Sequence, residues 1–300
     1  MPELPDISVY LEALDVRVTG RPLEAVRLKS PFLLRSVEPP LASVEGRTVV
    51  GFRRIGKRIV FELEGSIFLV LHLMISGRLH WKPRGAKPPG KRGLAAFDFP
   101  DGTLLLTEAG TKKRASLFVV DGETALEEHD PGGLEVLTCD LGAFAKTVAK
   151  ENRTLKRLLT DPRLLGGIGN AYSDEILHRA CMSPFARSGT LDDTEIKVLF
   201  DSARDVLREW IARLRVEAAG AFPEKVTAFR KEMAVHGRYG QPCPVCGCPV
   251  QRIVYAGNEA NYCAECQTGG RLLADRALSR LLKDDWPKTL EEMEQRRRGS

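Results

Sequence analysis

Two different patterns of apolar residues divide the chain. From the start to about residue 125, short apolar runs alternate with turn signals such as Asp101-Gly102 and Asp121-Gly122. Short strands with turns at this frequency are typical of a β-sandwich or a flattened barrel. From Leu141 to about Phe222, apolar residues recur at three- and four-residue spacing, which predicts a helical region.

The first part of the chain is predicted to contain one helix followed by short strands. The helix covers residues 6–14, where Ile7, Tyr10 and Leu14 share helical spacing. The predicted strands are Ala25–Leu28, Thr48–Arg54, Ile59–Leu63, Ile67–Met74, Leu94–Phe99 and Thr103–Thr107.

In the second part, the predicted helices are Leu141–Ala149, Thr154–Leu159, Ser173–Ala180 and Asp192–Trp210, the last with an extension toward Ala218. A polar, breaker-rich stretch at residues 127–133 indicates a hinge before them. The predicted domains are residues 1–125, a hinge at 126–140, a helical domain at 141–234, a finger at 235–268 and an extension at 269–300.

The extension carries the apolar residues of an amphipathic helix. Leu272, Leu273, Leu278 and residues 281–282 supply them, and Trp286-Pro287 indicates a turn. The chain then ends in a basic tail at residues 296–298. The sequence leaves open whether this helix packs on the finger or binds a partner.

Composition is that of an ordinary globular protein. The apolar fraction is 43% and the charged fraction is 28% of 300 residues. No apolar run is long enough to span a membrane, and the start of the chain lacks the features of a secretory signal. A net charge of +5 is compatible with a polyanionic partner. We therefore expect a cytoplasmic protein without a membrane partner.

The cysteines are distributed unevenly. Cys139 and Cys181 are isolated, and five of the seven lie between residues 243 and 266. The ligand set predicted from the C-x2-C-x16-C-x2-C spacing is Cys243, Cys246, Cys263 and Cys266. Four thiolates at this spacing indicate one structural Zn²⁺ in a reducing compartment, since no coordination position stays open for chemistry. Cys248 is interpreted as a spectator, with exchange for one of the four ligands as the alternative.

A glycine-rich turn lies inside the helical region. Residues 164–175 read Leu-Leu-Gly-Gly-Ile-Gly-Asn-Ala-Tyr-Ser-Asp-Glu, with Asn170 where the turn meets a helix. Such a turn can bring backbone N–H groups close to a phosphate. It can equally be an ordinary tight connection between helices. It is neither a Walker loop nor a dinucleotide fingerprint, because neither the lysine nor the preceding strand is present.

The chain starts Met1-Pro2-Glu3-Leu4-Pro5-Asp6. Removal of Met1 would expose the secondary amine of Pro2, which can attack the anomeric carbon of a sugar and form an iminium ion. Glu3 could then transfer protons for the same reaction. The alternative interpretation is a frayed end whose proline only resists proteolysis.

Three motifs in this order resemble the family of formamidopyrimidine-DNA glycosylase and endonuclease VIII. They are residues 2–5, residues 155–184 around Gly-Ile-Gly-Asn, and Val-His-Gly-Arg at 235–238 leading into Cys243. The resemblance covers nearly all of residues 1–267. It implies a multidomain α and β fold with an N-terminal β-sandwich, a helix–two-turn–helix DNA-binding bundle and a C-terminal four-cysteine zinc finger. Damaged DNA is then the partner of a monomeric, nucleoid-associated enzyme.

The resemblance also implies roles for single residues. Pro2 is the nucleophile and Glu3 the acid/base, and Lys57 matches the family's phosphate-binding lysine and is grouped with them as catalytic. His72 and Asn170 match phosphate contacts. The implied activity is that of a DNA glycosylase with AP lyase activity, in which the damaged nucleotide is flipped out of the duplex and no metal takes part in the chemistry.

The sequence also departs from the family pattern. The finger arginine is replaced by Asn258, the wedge stretch is replaced by a run that includes Lys112, Lys113 and Arg114, and the wedge methionine's position falls on Ile75. The stretch 218–233 is too short for the loop that caps an oxidised purine. These departures predict oxidised pyrimidines or abasic sites as substrates, rather than 8-oxoguanine. Two alternatives are a non-catalytic zinc-containing binder of damaged or single-stranded nucleic acid, and an RNA- or ribosome-associated protein.

Overall fold

A computed structural model describes residues 1–224, 226, 227, 229–255, 258–274 and 287–298 of the chain. The chain forms two compact units. One contains Met1–Gly133 and Arg208–Ala228, and the other contains Leu134–Leu207 and Phe229–Ser300. Among the described residues, no helix combines the length and the apolar character needed to cross a membrane.

The described helices and strands have the following bounds, in chain order. The described helices are α1 (Leu4–Val18), α2 (Glu123–Glu127), α3 (Leu141–Ala149), α4 (Leu155–Thr160), α5 (Asn170–Arg179), α6 (Asp193–Ala218), α7 (Ala264–Thr268) and α8 (Leu290–Arg298). The strands are β1 (Ala25–Leu28), β2 (Val49–Ile55), β3 (Arg58–Leu63), β4 (Ile67–His72), β5 (Gly77–Lys82), β6 (Gly93–Phe99), β7 (Gly102–Glu108), β8 (Ser116–Asp121), β9 (Val250–Tyr255) and β10 (Asn258–Cys263).

The first unit is a β-sandwich of two antiparallel four-stranded sheets. Their strand orders are β1-β6-β7-β5 and β2-β3-β4-β8. Inward residues such as Phe61, Leu71, Phe97 and Leu106 alternate along the strands and form a fully buried core between the sheets. The sequence prediction of a sandwich is therefore confirmed.

The central strands of the second sheet are apolar on both faces. Val60, Phe68, Val70 and Val120 point away from the main core and pack with Leu126 of α2. Because both faces are covered, β3 and β4 read as continuous apolar runs instead of the alternation that a half-exposed strand shows.

Helix α1 begins earlier and ends later than predicted. Asp6 accepts a hydrogen bond from the backbone N–H of Glu3 at 2.9 Å, and the two residues form a reciprocal capping box at the helix start. Ile7, Tyr10, Leu14 and Val18 place one apolar stripe in the sandwich core. The stripe continues to Val18, which explains the longer helix.

The sequence prediction missed two strands of the sandwich, and also the hairpin strands β9 and β10 of the second unit. In β5, Arg78, His80 and Lys82 alternate with apolar residues, an alternation typical of a strand that the prediction overlooked. Its polar face is covered in the structure: His80 and Lys82 contact the Glu224 carboxylate at 2.6 and 3.1 Å. Strand β8 pairs with β4 along its whole length, which adjacency along the chain does not indicate.

In the second unit, β9 and β10 form a hairpin, and β10 packs against α5. The Tyr262 ring of β10 is buried in a cluster with Ile253 and Leu272. Leu290 and Met293 of α8 pack against the same cluster, and the backbone N–H of Leu272 donates a hydrogen bond to the Lys288 carbonyl oxygen at 2.8 Å. The described end of the chain thus returns to the finger. The predicted helix at Leu278 and residues 281–282 lies outside the described residues, as does Trp286.

The turn between β4 and β5 depends on Gly77. Its backbone N–H donates to the Leu73 carbonyl at 2.9 Å, and a Cβ on Gly77 would lie 2.2 Å from that oxygen. We expect Gly77→Ala to lower the free energy of unfolding by about 2 kcal/mol, because the turn must move to relieve the overlap. Urea unfolding followed by circular dichroism measures this. Gly51→Ala is the matched control, since its Cβ meets the nearest atom of Glu62 at an ordinary 3.5 Å. Equal unfolding curves for both variants would contradict the prediction.

Candidate active site and cysteine cluster

The start of the chain is buried against the sandwich unit. Pro2 is buried, Glu3 is only 2% exposed, and the capping box with Asp6 fixes the backbone that carries them. The alternative interpretation of a frayed end is therefore wrong for this structure. An ordered amine beside a buried carboxyl group is the arrangement that covalent chemistry on a sugar needs.

The surroundings of the chain start favour a neutral amine. Burial lowers the pKa of the Met1 α-amino group below its ordinary value. The nearby cations of Arg78 and Lys57 act in the same direction. The carboxylates of Glu3 and Asp6 oppose the shift. The net effect is an amine that loses its proton more readily than a solvated one, and the neutral form is the nucleophile.

Lys57 and His72 lie at the same end of the second sheet. Lys57 follows Gly56, whose φ of +56° forms the tight turn between β2 and β3. His72 ends β4 and pairs with Arg58, the first residue of β3. Burial lowers the pKa of His72 to about 4, and the cations of Arg58 and Lys57 add to the shift. At neutral pH, His72 is therefore an uncharged hydrogen-bonding group, not a cation.

The basic run after β7 is organised by a buried carboxylate. Glu108 is 1% exposed and accepts hydrogen bonds from the backbone N–H groups of Arg114 and Ala115 at 2.9 and 3.2 Å. The Lys113 ammonium donates to the Glu108 carbonyl oxygen. Lys113 therefore holds its own loop together, whereas Lys112 and Arg114 are exposed.

In the second unit, Asn170 is the first residue of α5, directly after the glycine-rich turn. The turn uses Gly167 with φ of +81°, a conformation that favours glycine. The Asn170 carbonyl accepts a hydrogen bond from Lys156 at 2.7 Å. Asn170 itself is partly exposed, so its side-chain amide can reach a ligand.

Below this turn lies a buried polar network that the sequence did not reveal. The Lys156 ammonium contacts Asp174 at 2.5 Å, and the other Asp174 oxygen contacts His236 at 2.8 Å and Asn261 at 3.3 Å. The neighbouring Glu175 accepts three successive backbone N–H groups of residues 234–236 at 2.7 to 2.9 Å. Burial raises the pKa of Glu175 despite these donors. The only sign of this network in the sequence is the pair of adjacent acidic residues, Asp174 and Glu175, in a predicted helix.

The four predicted zinc ligands come together. Their sulfur atoms lie within 4.8 Å of one another, with 3.3 Å between Cys246 and Cys263 and 3.9 Å between Cys243 and Cys266. A tetrahedral site with bonds of about 2.3 Å requires sulfur separations of about 3.8 Å, so the cluster fits Zn²⁺. Among the described residues this is the one such cluster, and Cys248 is not part of it.

The low pKa of His72 predicts a specific loss of stability in acid. The unfolded state takes up a proton near pH 6.5 and the folded state only near pH 4. The stability that neutral His72 supports is therefore complete above pH 6.5 and is lost as the pH falls toward 4. Between pH 7 and pH 5 we expect wild type to lose about 2 kcal/mol more than His72→Gln in urea unfolding. Equal losses in the two proteins would contradict the lowered pKa.

The comparison with known proteins agrees with this arrangement. Residues 1–113 match the formamidopyrimidine-DNA glycosylase N-terminal domain, and residues 133–218 match the H2TH domain of the same enzymes. Formamidopyrimidine-DNA glycosylases of Heliobacterium modesticaldum and Thermus thermophilus are each 33% identical to this chain; the alignments cover 89% and 90% of it, and all of each relative.

A crystal structure of Lactococcus lactis Fpg in complex with DNA that contains an abasic site is similar in fold. Its TM-score is 0.78 at 25% identity, over 89% of this chain and 99% of that one. The family matches cover two thirds of the present chain, and the relatives align over their full length. The chain belongs to the formamidopyrimidine-DNA glycosylase family of DNA-repair enzymes.

Proposed function

We propose that the protein is a base-excision DNA glycosylase with AP lyase activity, and that Pro2 is its nucleophile. The observation that carries the proposal is the burial of the chain start beside Glu3, with an α-amino group whose pKa is lowered. Family membership supports the reaction class. Removal of Met1 transfers the role of the terminal amine to the secondary amine of Pro2.

In the proposed reaction, the Pro2 nitrogen bonds to C1′ of the damaged nucleotide, and the bond between C1′ and the base breaks. Glu3 protonates the ring oxygen, so the sugar opens to an iminium ion. The iminium acidifies the C2′ proton, and its loss expels the 3′ phosphate. A second elimination then expels the 5′ phosphate. The residues supply a nucleophile and a proton carrier, and we assign no step to a metal.

Two further groups are proposed to hold the DNA backbone near the lesion. In the sandwich unit, Lys57 supplies positive charge and neutral His72 a hydrogen bond, while Lys112 and Arg114 are exposed for phosphate contacts. In the second unit, Asn170 presents its amide beside the N-terminus of α5. Lys113 contributes chiefly to the loop, because its ammonium is bound to a carbonyl of that loop.

The cysteine cluster is proposed to hold one structural Zn²⁺. Four thiolates complete the coordination of zinc, so its role is to fold the finger. We also expect the protein to be a monomer. Because its proposed substrate is chromosomal DNA, we expect it in the cytoplasm, associated with the nucleoid.

The preferred substrates are proposed to be oxidised pyrimidines or abasic sites. The short stretch after α6 is held against β5 instead of forming a long loop. Arg78 donates to the Val226 carbonyl at 2.5 Å, and Glu224 is bound by His80 and Lys82. Asn258 brings no positive charge to the finger, which lowers the expected affinity for intact duplex DNA.

Borohydride trapping tests the nucleophile. We expect processed wild-type protein to form a covalent adduct with an abasic-site oligonucleotide, and Pro2→Gly to form at least about 100-fold less, because the secondary amine is gone. Lys197→Ala is the matched control: it removes an exposed charge that pairs with Asp201 on α6, and it should retain the adduct. Mass analysis of the adduct should place the sugar on residue 2.

An adduct on a lysine in correctly processed protein would refute the Pro2 mechanism. No adduct at all, with tight binding to damaged DNA, would favour the alternative of a non-catalytic binder. Protein that retains Met1 should give no adduct on residue 2, since its Pro2 nitrogen is part of a peptide bond.

A panel of lesions tests the substrate range. We expect the protein to cut single- and double-stranded oligonucleotides that contain oxidised pyrimidines or abasic sites at least about tenfold faster than duplex 8-oxoguanine opposite cytosine, because the stretch 218–233 is too short in sequence for a purine-capping loop. Single-turnover rates on each substrate measure this. Efficient cutting of 8-oxoguanine with little action on oxidised pyrimidines would contradict the expectation.

A further inference from the structure

His178 lies next to a predicted zinc ligand. Its Nε2 atom is 3.2 Å from the Cys243 sulfur, and both residues are buried, with 6% and 2% of their surface exposed. His178 stands in the last turn of α5, outside the finger itself.

The chemistry of the cluster decides which partner of this hydrogen bond is the donor. A divalent ion with four thiolates carries a net charge of about −2, and hydrogen bonds to the sulfurs must spread that charge where water is excluded. The backbone N–H of Cys266 contributes a long hydrogen bond of 3.5 Å to Cys263. A thiolate accepts hydrogen bonds, so the imidazole must donate its Nε2–H to Cys243.

We propose that His178 is a positioning residue of the metal site, which donates its Nε2–H to the Cys243 thiolate and thereby couples metal loading to helix α5. The proposal rests on the zinc site proposed above. Under this proposal, a side chain of helix α5 adds to the metal affinity that the four cysteines provide.

Helix α5 is well placed to transmit such coupling. Asn170 begins the helix and His178 lies eight positions later, about 12 Å along the axis. Between them, Asp174 and Glu175 bind the residues that enter the finger, through His236 and the backbone N–H groups of residues 234–236. One helix therefore carries the proposed DNA contact, the buried carboxylates and the metal partner.

Zinc affinity measured by chelator competition tests the proposal. We expect His178→Phe to bind Zn²⁺ about 10- to 100-fold more weakly than wild type, because the ring volume remains and the donor is lost. His178→Gln should remain within a few-fold of wild type, since its amide can place an N–H near the position of Nε2. His129→Phe is the matched control: His129 packs on Phe118 in the sandwich unit.

Cobalt substitution provides a readout that a purely structural role would not change. The sulfur-to-cobalt absorption bands of His178→Phe should shift relative to wild type, while those of His178→Gln and His129→Phe should not. If His178→Phe does not fold, His178→Asn replaces it, because the shorter amide cannot reach the sulfur.

Amide hydrogen exchange tests the coupling to α5. Removing the metal from wild type should speed exchange in α5, whereas the β3 and β4 amides should be unaffected. His178→Phe with saturating Zn²⁺ should show the same faster exchange in α5.

The outcomes separate the two proposals. Wild-type protein that binds no zinc would overturn the zinc site itself. Wild-type protein that binds zinc, with affinity and cobalt spectrum unchanged in the variants that lack the donor, would overturn the role of His178. Equal rates of amide exchange in α5 with and without the metal would overturn the coupling.

Discussion

The burial of the chain start is the constraint on which the proposed chemistry depends. A protonated amine is costly to bury, so burial and the cations of Arg78 and Lys57 shift the terminal amine toward its neutral form. The capping box between Glu3 and Asp6 keeps the same backbone in place. Helix formation in α1 thus positions the amine and the Glu3 carboxyl group together, and the sandwich core holds α1 through Ile7 and Tyr10.

A second constraint operates inside the other unit. Asp174 is fully enclosed, and its oxygens are satisfied by Lys156, His236 and Asn261, which come from three distant parts of the sequence. A buried charge that loses a partner is strongly destabilising, so the network holds α4, α5 and the finger residues His236 and Asn261 together. The network fixes where α5 lies, and with it both Asn170 and His178.

The distribution of cations limits how the protein can hold DNA. Several basic groups are already engaged within the sandwich unit: Lys113 binds its own loop, Lys82 binds Glu224, and Arg78 binds the Val226 carbonyl. His72 is neutral at physiological pH. The net charge of +5 already counts His72 as neutral and does not say which cations can contact phosphates, and Asn258 adds no positive charge. Weaker backbone binding is consistent with the proposed preference for abasic or distorted sites over intact duplex.

The sequence by itself determined much of this protein. Ligand spacing identified the four cysteines, and local periodicity identified most helices and strands, because both signals lie within a few residues along the chain. The ordered motifs from Pro2 to Cys243 indicated the family. Each of these signals is local or linear, and each can be read without knowing which distant segments meet.

Only the tertiary structure decided the environments of the site residues. The polar face of strand β5 is covered by Glu224 and Val226, which are far away in the sequence. The neutral state of His72 arises from burial beside Arg58 and Lys57, and the contact of His178 with Cys243 joins residues 65 positions apart. A pKa, a buried ion pair or a hydrogen bond to sulfur depends on the groups that folding brings together, and residue spacing does not record them.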